Sequence, residues 1–179
     1  MNNYTIHTVD SAPLTSKASL EKVQHDYGMI PNLLGILAEA PATLKAYLQL
    51  HELFSGTSFS AEELTVVWQT INVEHDCNYC VPAHTGIAHA MSVDKRLIRA
   101  LRNKQPMPTN KLQILHDTTL SMVRTRGNLS EQDIATFYQA GYKQKQLLEI
   151  VLGLSQKVIS NYVSHFANIT IDDVYKQFS

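Results

Sequence analysis

The chain has 179 residues, with Lys+Arg 15 against Asp+Glu 16, a formal net charge of −1 and 44% hydrophobic residues. So even a balance offers no broad positive field for a phosphate backbone or an anionic membrane surface, which excludes nucleic acid and membrane as partners. No run approaches the roughly 18 apolar residues of a membrane span, and the first twenty residues lack the basic start and apolar stretch of an export signal, so a soluble, cytoplasmic protein is expected.

The length suits one domain over residues 1–179, or a helical unit that completes its core by forming a homo-oligomer. Residues 1–12 read as a loose end. Leu20 and Val23, followed by Tyr27 and the stop signal Gly28, predict a first helix, and Ile30-Pro31-Asn32 restarts the chain into Leu33, Leu34 and Leu37. Pro41 opens the next helix at its first turn, which runs to about Phe54 and stops at Gly56. Ser60-Ala61-Glu62-Glu63 is a capping box that starts a helix through Leu64, Val67, Trp68 and Ile71. The run from Thr65 to Ile71 is rich in β-branched residues and also fits a strand; the preceding cap and the i, i+3, i+4, i+7 spacing favour the helix.

Beyond residue 90, Ser92 can cap a short helix through Leu97, Ile98 and Leu101, and Pro106 and Pro108 break the chain. Leu112, Leu115, Thr119, Met122 and Val123 mark a long helix stopped at Gly127. Ser130 caps the next, and the last carries Leu147, Val151, Leu154, Val158, Tyr162 and Phe166 on one stripe. No turn-flanked alternating runs occur, so the pattern predicts an all-α bundle of seven or eight helices.

The segment from Glu74 to His84 holds both cysteines of the chain, Cys77 and Cys80, with His84 four residues after the second. On a helix such spacings share one face, so Cys77, Cys80 and His84 can converge without help from the rest of the fold. In a reducing compartment a bridge across so short a loop constrains the unfolded chain little, so a disulfide here would serve chemistry. Asp76 is the expected cap, which would set both sulfurs in the first turn, where the helix dipole lowers a thiol pKa; Pro82 sits awkwardly just after it. His84 could take the thiol proton or hold the thiolate as imidazolium, with Glu74 and Tyr79 orienting it or relaying protons.

These parts fit a peroxide cycle. One thiolate attacks the distal oxygen and becomes sulfenic acid, the neighbouring thiol condenses with it, and an external dithiol resets the disulfide. A competing reading is a non-catalytic redox-sensing or zinc-binding helical module, in which Cys77, Cys80 and His84 bind metal with His75 or His89. Stoichiometric zinc, with loss of fold on its removal, would mark that module. His7, His25, His51, His116 and His165 read as surface or satisfied-core residues, and Trp68 as core.

The run Glu74-x-x-Cys77-Asn78-Tyr79-Cys80-Val81-x-Ala83-His84-Thr85 resembles the signature of the carboxymuconolactone decarboxylase superfamily, in its alkylhydroperoxidase D-like branch. Gly28-Met29-Ile30-Pro31-Asn32-Leu33-Leu34 with Ala40-Pro41, and Asn161-Tyr162-x-x-His165-Phe166-Ala167-Asn168, are similar to the same family. The resemblance implies an all-helical fold, assembly into trimers or hexamers, and a peroxidase cycle with no bound cofactor; the expected partners are an organic hydroperoxide as substrate and an external dithiol or lipoyl-type reductant. It also implies that Cys80 attacks the peroxide and Cys77 resolves and meets the reductant. The chain departs from the pattern at Thr65, where the branch often has a glutamate, and at Tyr79, where it often has a histidine. Glu74 or Glu63 would then have to supply the missing carboxylate. Members that decarboxylate the lactone generally lack the cysteine pair, so that reaction fits poorly.

Overall fold

A computed structural model describes residues 4–179. Among the described residues there are nine α-helices and a terminal 3-10 helix, with no strand: α1 (Leu14–Tyr27), α2 (Asn32–Leu37), α3 (Pro41–Ser55), α4 (Ala61–Glu74), α5 (Cys80–Ala90), α6 (Lys95–Arg102), α7 (Asn110–Thr125), α8 (Glu131–Gln139), α9 (Gln144–Ala167) and the 3-10 helix Asp173–Phe178. The sequence pattern foresaw the all-α class and undercounted the helices; the terminal 3-10 helix carries no periodic apolar signal.

Local chemistry explains most boundaries. Gly28 at φ 73 takes the left-handed cap that ends α1. The Ser60 capping box is formed in both directions, with Ser60 Oγ accepting Glu63 N–H at 3.3 Å and Glu63 accepting Ser60 N–H at 2.9 Å. The cap of α6 is Asp94, which accepts from Arg96 N–H, rather than Ser92, whose left-handed φ of 60 belongs to the turn before it.

The ambiguous stretch after Ser60 is helical because it is central. Every residue from Leu64 to Asn72 is buried, and a helix buried all round needs no amphipathic stripe. It packs against α5, α6, α7 and α9. Helix α3 lies on α9, and Gly153 makes that approach possible: a Cβ there would sit 2.7 Å from the Phe54 ring.

Helix α9 buries its expected stripe only in part: Leu147 and Leu154 pack half-buried against the core. Val151, Tyr162 and Phe166 from the predicted stripe are 48%, 55% and 50% exposed, whereas Gly153, Gln156, Lys157, Ser160, Asn161 and Ser164 are buried. Its polar face is turned inward, toward the cysteines. Residues 4–12, expected as part of a loose end, are instead packed through His7, whose N–H donates to the Gly35 carbonyl at 3.1 Å and whose ring pairs with Glu39; residues 1–3 of that expected loose end lie outside the described residues.

Candidate redox site

Helix α4 ends at Glu74, and Asp76, at a left-handed φ of 51, turns the chain back. Helix α5 begins at Cys80, so Asp76 is not its cap and Cys77 lies in the turn before it. The Cys77 sulfur itself does part of a cap's work, accepting Cys80 N–H at 3.2 Å, while the Cys77 carbonyl accepts Val81 N–H at 3.0 Å. Pro82 is then the third residue of the helix, where no intrahelical N–H bond exists to lose, so it fits without distortion.

Buried amides hold this turn in place. Asn161 donates to the Asn72 side chain at 3.0 Å, and Asn72 donates to Gln69 at 2.9 Å and to the Cys80 carbonyl at 3.4 Å. Gln69 in turn donates to the Val81 carbonyl and to Thr85 Oγ1, both at 3.1 Å. Each of these groups would cost about 1–3 kcal/mol if left buried and unpaired, which ties the start of α5 to α4 and α9.

The two cysteines are buried, unbridged, and open onto different spaces. Cys80 lines a mostly apolar cavity of about 290 Å³ together with Leu33, Leu34, Tyr47, Tyr175, His84 and Lys157. Cys77 lines a separate, more polar cleft of about 460 Å³ with Asn78, Pro82, Arg102 and Lys104.

Lys157 was not foreseen. It is fully buried, makes no ion pair with a carboxylate among the described residues, and sets its Nζ 2.9 Å from His84 Nε2. Burial pulls its pKa below the ordinary lysine value, and the Cys80 and Cys77 charges oppose that pull. Burial pushes the Cys80 thiol up, but the hydrogen bond from Cys77, the Lys157 charge, and hydrogen bonds with Ser164 and Asn161 outweigh it and bring the thiol down to about 5. The Cys77 thiol moves the other way: its hydrogen bond to Cys80, burial and the Cys80 charge all raise it. Ser164 Oγ lies 3.7 Å from the Cys80 sulfur.

His84 is buried between the Lys157 ammonium, the His51 ring and apolar groups. Burial, Lys157 and His51 hold its pKa well below the ordinary histidine value, and Nε2 faces the Lys157 donor at 2.9 Å; both disfavour the imidazolium form expected beside the thiolate. Its Nδ1 is buried without a hydrogen-bond partner. His51, expected as a bystander, also lines the cavity, with its pKa lowered to about 4 by burial and then by Lys157. Trp68 is core as expected; it donates to Gln156 at 2.8 Å and packs against the His84 ring at a centroid distance of 5.0 Å.

Of the remaining predicted residues, Tyr79 is at the cavity and Glu74 is not. The Tyr79 hydroxyl donates to Asp172 at 2.6 Å and accepts Leu33 N–H at 3.3 Å, so the C-terminal segment and α2 hold it. Glu74 takes Arg124 in a fork at 2.7 and 2.9 Å, and Glu63 serves its cap and Lys111. Neither carboxylate lines the cavity, and the charge beside the thiolate is a cation instead. The zinc reading lacks its ligands: His75 bonds Asn161, His89 stacks on Phe178, and among the described residues no three His, Cys, Asp or Glu side chains converge on a metal position.

The sequence signal that could have revealed Lys157 is the polar run Gln156-Lys157-Ser160-Asn161-Ser164, which repeats at helical spacing inside an otherwise apolar segment.

No protein-family model and no curated protein matches the chain by sequence. Solved structures do. A peroxidase-related protein from Ralstonia eutropha JMP134, described as an alkylhydroperoxidase AhpD core, superposes with a TM-score of 0.84 at 18% identity over 96% of this chain and 93% of its own. A peroxidase-related protein from Silicibacter sp. TM1040 gives 0.82 at 20% identity over 99% and 97%. A cysteine-to-alanine variant of the debrominase Bmp8 in complex with 2,3,4-tribromopyrrole gives 0.83 at 14% identity over 99% and 96%. The chain therefore has the all-α fold of the alkylhydroperoxidase D core, the fold that its cysteine signature led one to expect.

Proposed function

We propose that the protein is a thiol-dependent peroxidase that reduces organic hydroperoxides through the Cys77–Cys80 pair, with an external dithiol as the electron source. The observation that carries this reading is the asymmetry of the pair: a thiolate-favouring Cys80 beside Lys157 on an apolar cavity, backed by a protonated Cys77. The Cys80 thiolate attacks the distal oxygen, the alcohol leaves, and Cys80 becomes sulfenic acid. The Cys77 thiol then condenses with it, releasing water and forming the disulfide. A lipoyl-type dithiol reduces that disulfide by exchange, becoming a disulfide itself. Tyr79 supports the site by holding the turn between the two cysteines to Asp172 and α2.

The exposed face of α9, with Leu148 69% exposed beside Val151 and Tyr162, fits a homo-oligomer, a trimer or hexamer. No helix of the described residues is long and apolar enough to cross a membrane; a pair that must cycle through free thiols suits the reducing cytoplasm.

Steady-state consumption of cumene hydroperoxide with dihydrolipoamide as donor tests the reading. The wild type should turn over and Cys80→Ser should not; turnover retained in Cys80→Ser would overturn the assignment. A second reading draws on the debrominase among the structural neighbours: the same thiols could remove halide from a small aromatic ring, leaving the disulfide, the reduced ring and hydrogen halide. Bromide release from a bromopyrrole, with no hydroperoxide consumption, would favour it.

A further inference from the structure

Two features of the cavity go unused when the cysteine pair is considered alone: the buried ammonium of Lys157, and the buried His84 Nδ1 with no partner. They are linked by chemistry. An ammonium can only donate hydrogen bonds, so at 2.9 Å it must donate to His84 Nε2, and that nitrogen accepts. A neutral ring whose Nε2 accepts carries its hydrogen on Nδ1. That N–H is a donor with nothing to donate to, on a side chain that lines the cavity where Cys80 is reached. An orphaned buried donor in a ligand cavity is a place kept for a group on the ligand.

We infer that Lys157 and His84 form a proton-delivery pair for the oxygen that leaves when Cys80 attacks a hydroperoxide; this rests on the peroxidase reading above. As the sulfur bonds to the distal oxygen and the O–O bond breaks, the departing alkoxide takes the Nδ1 proton of His84. His84 Nε2 takes a proton from the Lys157 ammonium in the same movement. Thiolate, hydroperoxide and ammonium become sulfenic acid, alcohol and amine, with no net charge gained or lost. The Lys157–His84 hydrogen bond survives with its direction reversed, the imidazole N–H now donating to the amine.

The electrostatics supply the timing. In the reduced protein the Cys80 thiolate and the Lys157 ammonium neutralise one another in a buried site. Once the sulfur carries oxygen, that negative charge is gone, and the ammonium is left as an uncompensated buried cation, which burial disfavours strongly. Lys157 therefore gives up its proton at the moment the alkoxide needs one. Reduction restores it: exchange with an external dithiol regenerates the Cys77 thiol and the Cys80 thiolate and leaves one proton for the amine. His84 thus acts on the leaving oxygen and takes no proton from the thiol, the reverse of the role its spacing from Cys80 invites.

Leaving-group chemistry separates this from a purely structural lysine. An alkoxide is a poor leaving group without a proton, whereas the carboxylate released from a peracid needs none. Single-turnover oxidation of Lys157→Met should be compared with wild type, using cumene hydroperoxide and perbenzoic acid, at a pH where thiolate absorbance shows Cys80 fully ionised in both proteins. Loss of the donor should slow the reaction with cumene hydroperoxide about 100-fold or more and leave the perbenzoic acid reaction nearly unchanged. Equal slowing with both oxidants, or slowing with neither, would overturn the relay while leaving the peroxidase reading intact. A wild-type protein inert toward both would overturn both. Nitrogen NMR of the histidines in the wild type needs no variant to fold: His84 should carry its proton on Nδ1 when reduced and on Nε2 when oxidised. A reduced protein with the proton on Nε2 contradicts the inference.

Discussion

Cys77 and Cys80 are three residues apart and live in opposite surroundings. Cys80, the first residue of α5, opens onto an apolar cavity beside a buried ammonium, and its thiol is brought down to about 5. Cys77, in the preceding turn, opens onto a more polar cleft with Arg102 and Lys104, and its thiol is raised. The difference shows that the acidity and access of two sulfurs three residues apart are set by what the rest of the fold brings to each. Here α9, roughly eighty residues away in sequence, supplies Lys157, Asn161 and Ser164, whose combined effect lowers the Cys80 thiol, while Cys77 stays raised although Ser164 bonds it too.

Removing one partner at a time breaks the comparison most severely. Cys77→Ser should lose all dithiol-driven turnover and still consume about one equivalent of cumene hydroperoxide per chain, ending as a sulfenic acid that a dimedone probe traps. Rapid multiple turnover in that variant would show that the resolving role does not belong to Cys77.

On the cavity side, Gly86 lets the terminal 3-10 helix approach α5 closely. A Cβ at Gly86 would meet the Tyr175 ring at 2.7 Å, and Tyr175 lines the cavity. Gly86→Ala should cost about 1–3 kcal/mol in urea unfolding. Oxidation of Cys80 by a bulky hydroperoxide should change with it, while reduction through Cys77 should not. Equal effects on both half-reactions would erase the separation of the two spaces.

The ordinary reading of sequence pattern captured the helices, the stop at Gly28, the Ser60 capping box and the placement of Cys80 at a helix start. It failed where polar residues are buried. The apolar stripe Val151, Tyr162 and Phe166 looked like the core face of α9 because pattern rules equate apolar with inside, and the buried site reverses that equation there. Glu74 looked like part of a relay from its spacing to Cys77, but Arg124, distant in sequence, holds its carboxylate away from the cavity. Asp76 looked like a cap because of its residue type; its left-handed φ of 51 instead makes it the pivot that frees Cys77 from the helix.

A milder test uses pH. His51 and His84 both have folded pKa values depressed by burial, so the unfolded chain binds protons that the native state refuses. Their contribution to stability is complete above the unfolded value of about 6.5 and is lost as pH falls toward the folded values. Urea unfolding of the reduced protein should show stability falling from about pH 6.5 toward pH 4, by up to about 1.4 kcal/mol per pH unit for each histidine. A flat profile over that range would mean that neither ring is held neutral. The smallest effect belongs to Glu74→Gln, which breaks a partly exposed pair with Arg124. It should cost no more than about 1 kcal/mol and leave the reactivity of both cysteines unchanged.

The asymmetry itself is tested most directly by titrating one sulfur at a time. In Cys77→Ser, where serine keeps a hydrogen-bond donor beside Cys80 and Lys157 remains, thiolate absorbance and the rate of iodoacetamide alkylation should rise with a midpoint well below the ordinary thiol value of about 8.5. In Cys80→Ser the hydrogen bond and charge of Cys80 that raise Cys77 are gone and burial alone pushes it up, so its midpoint should still lie well above that of Cys80 in the first variant. Two midpoints together near that ordinary value would contradict the account.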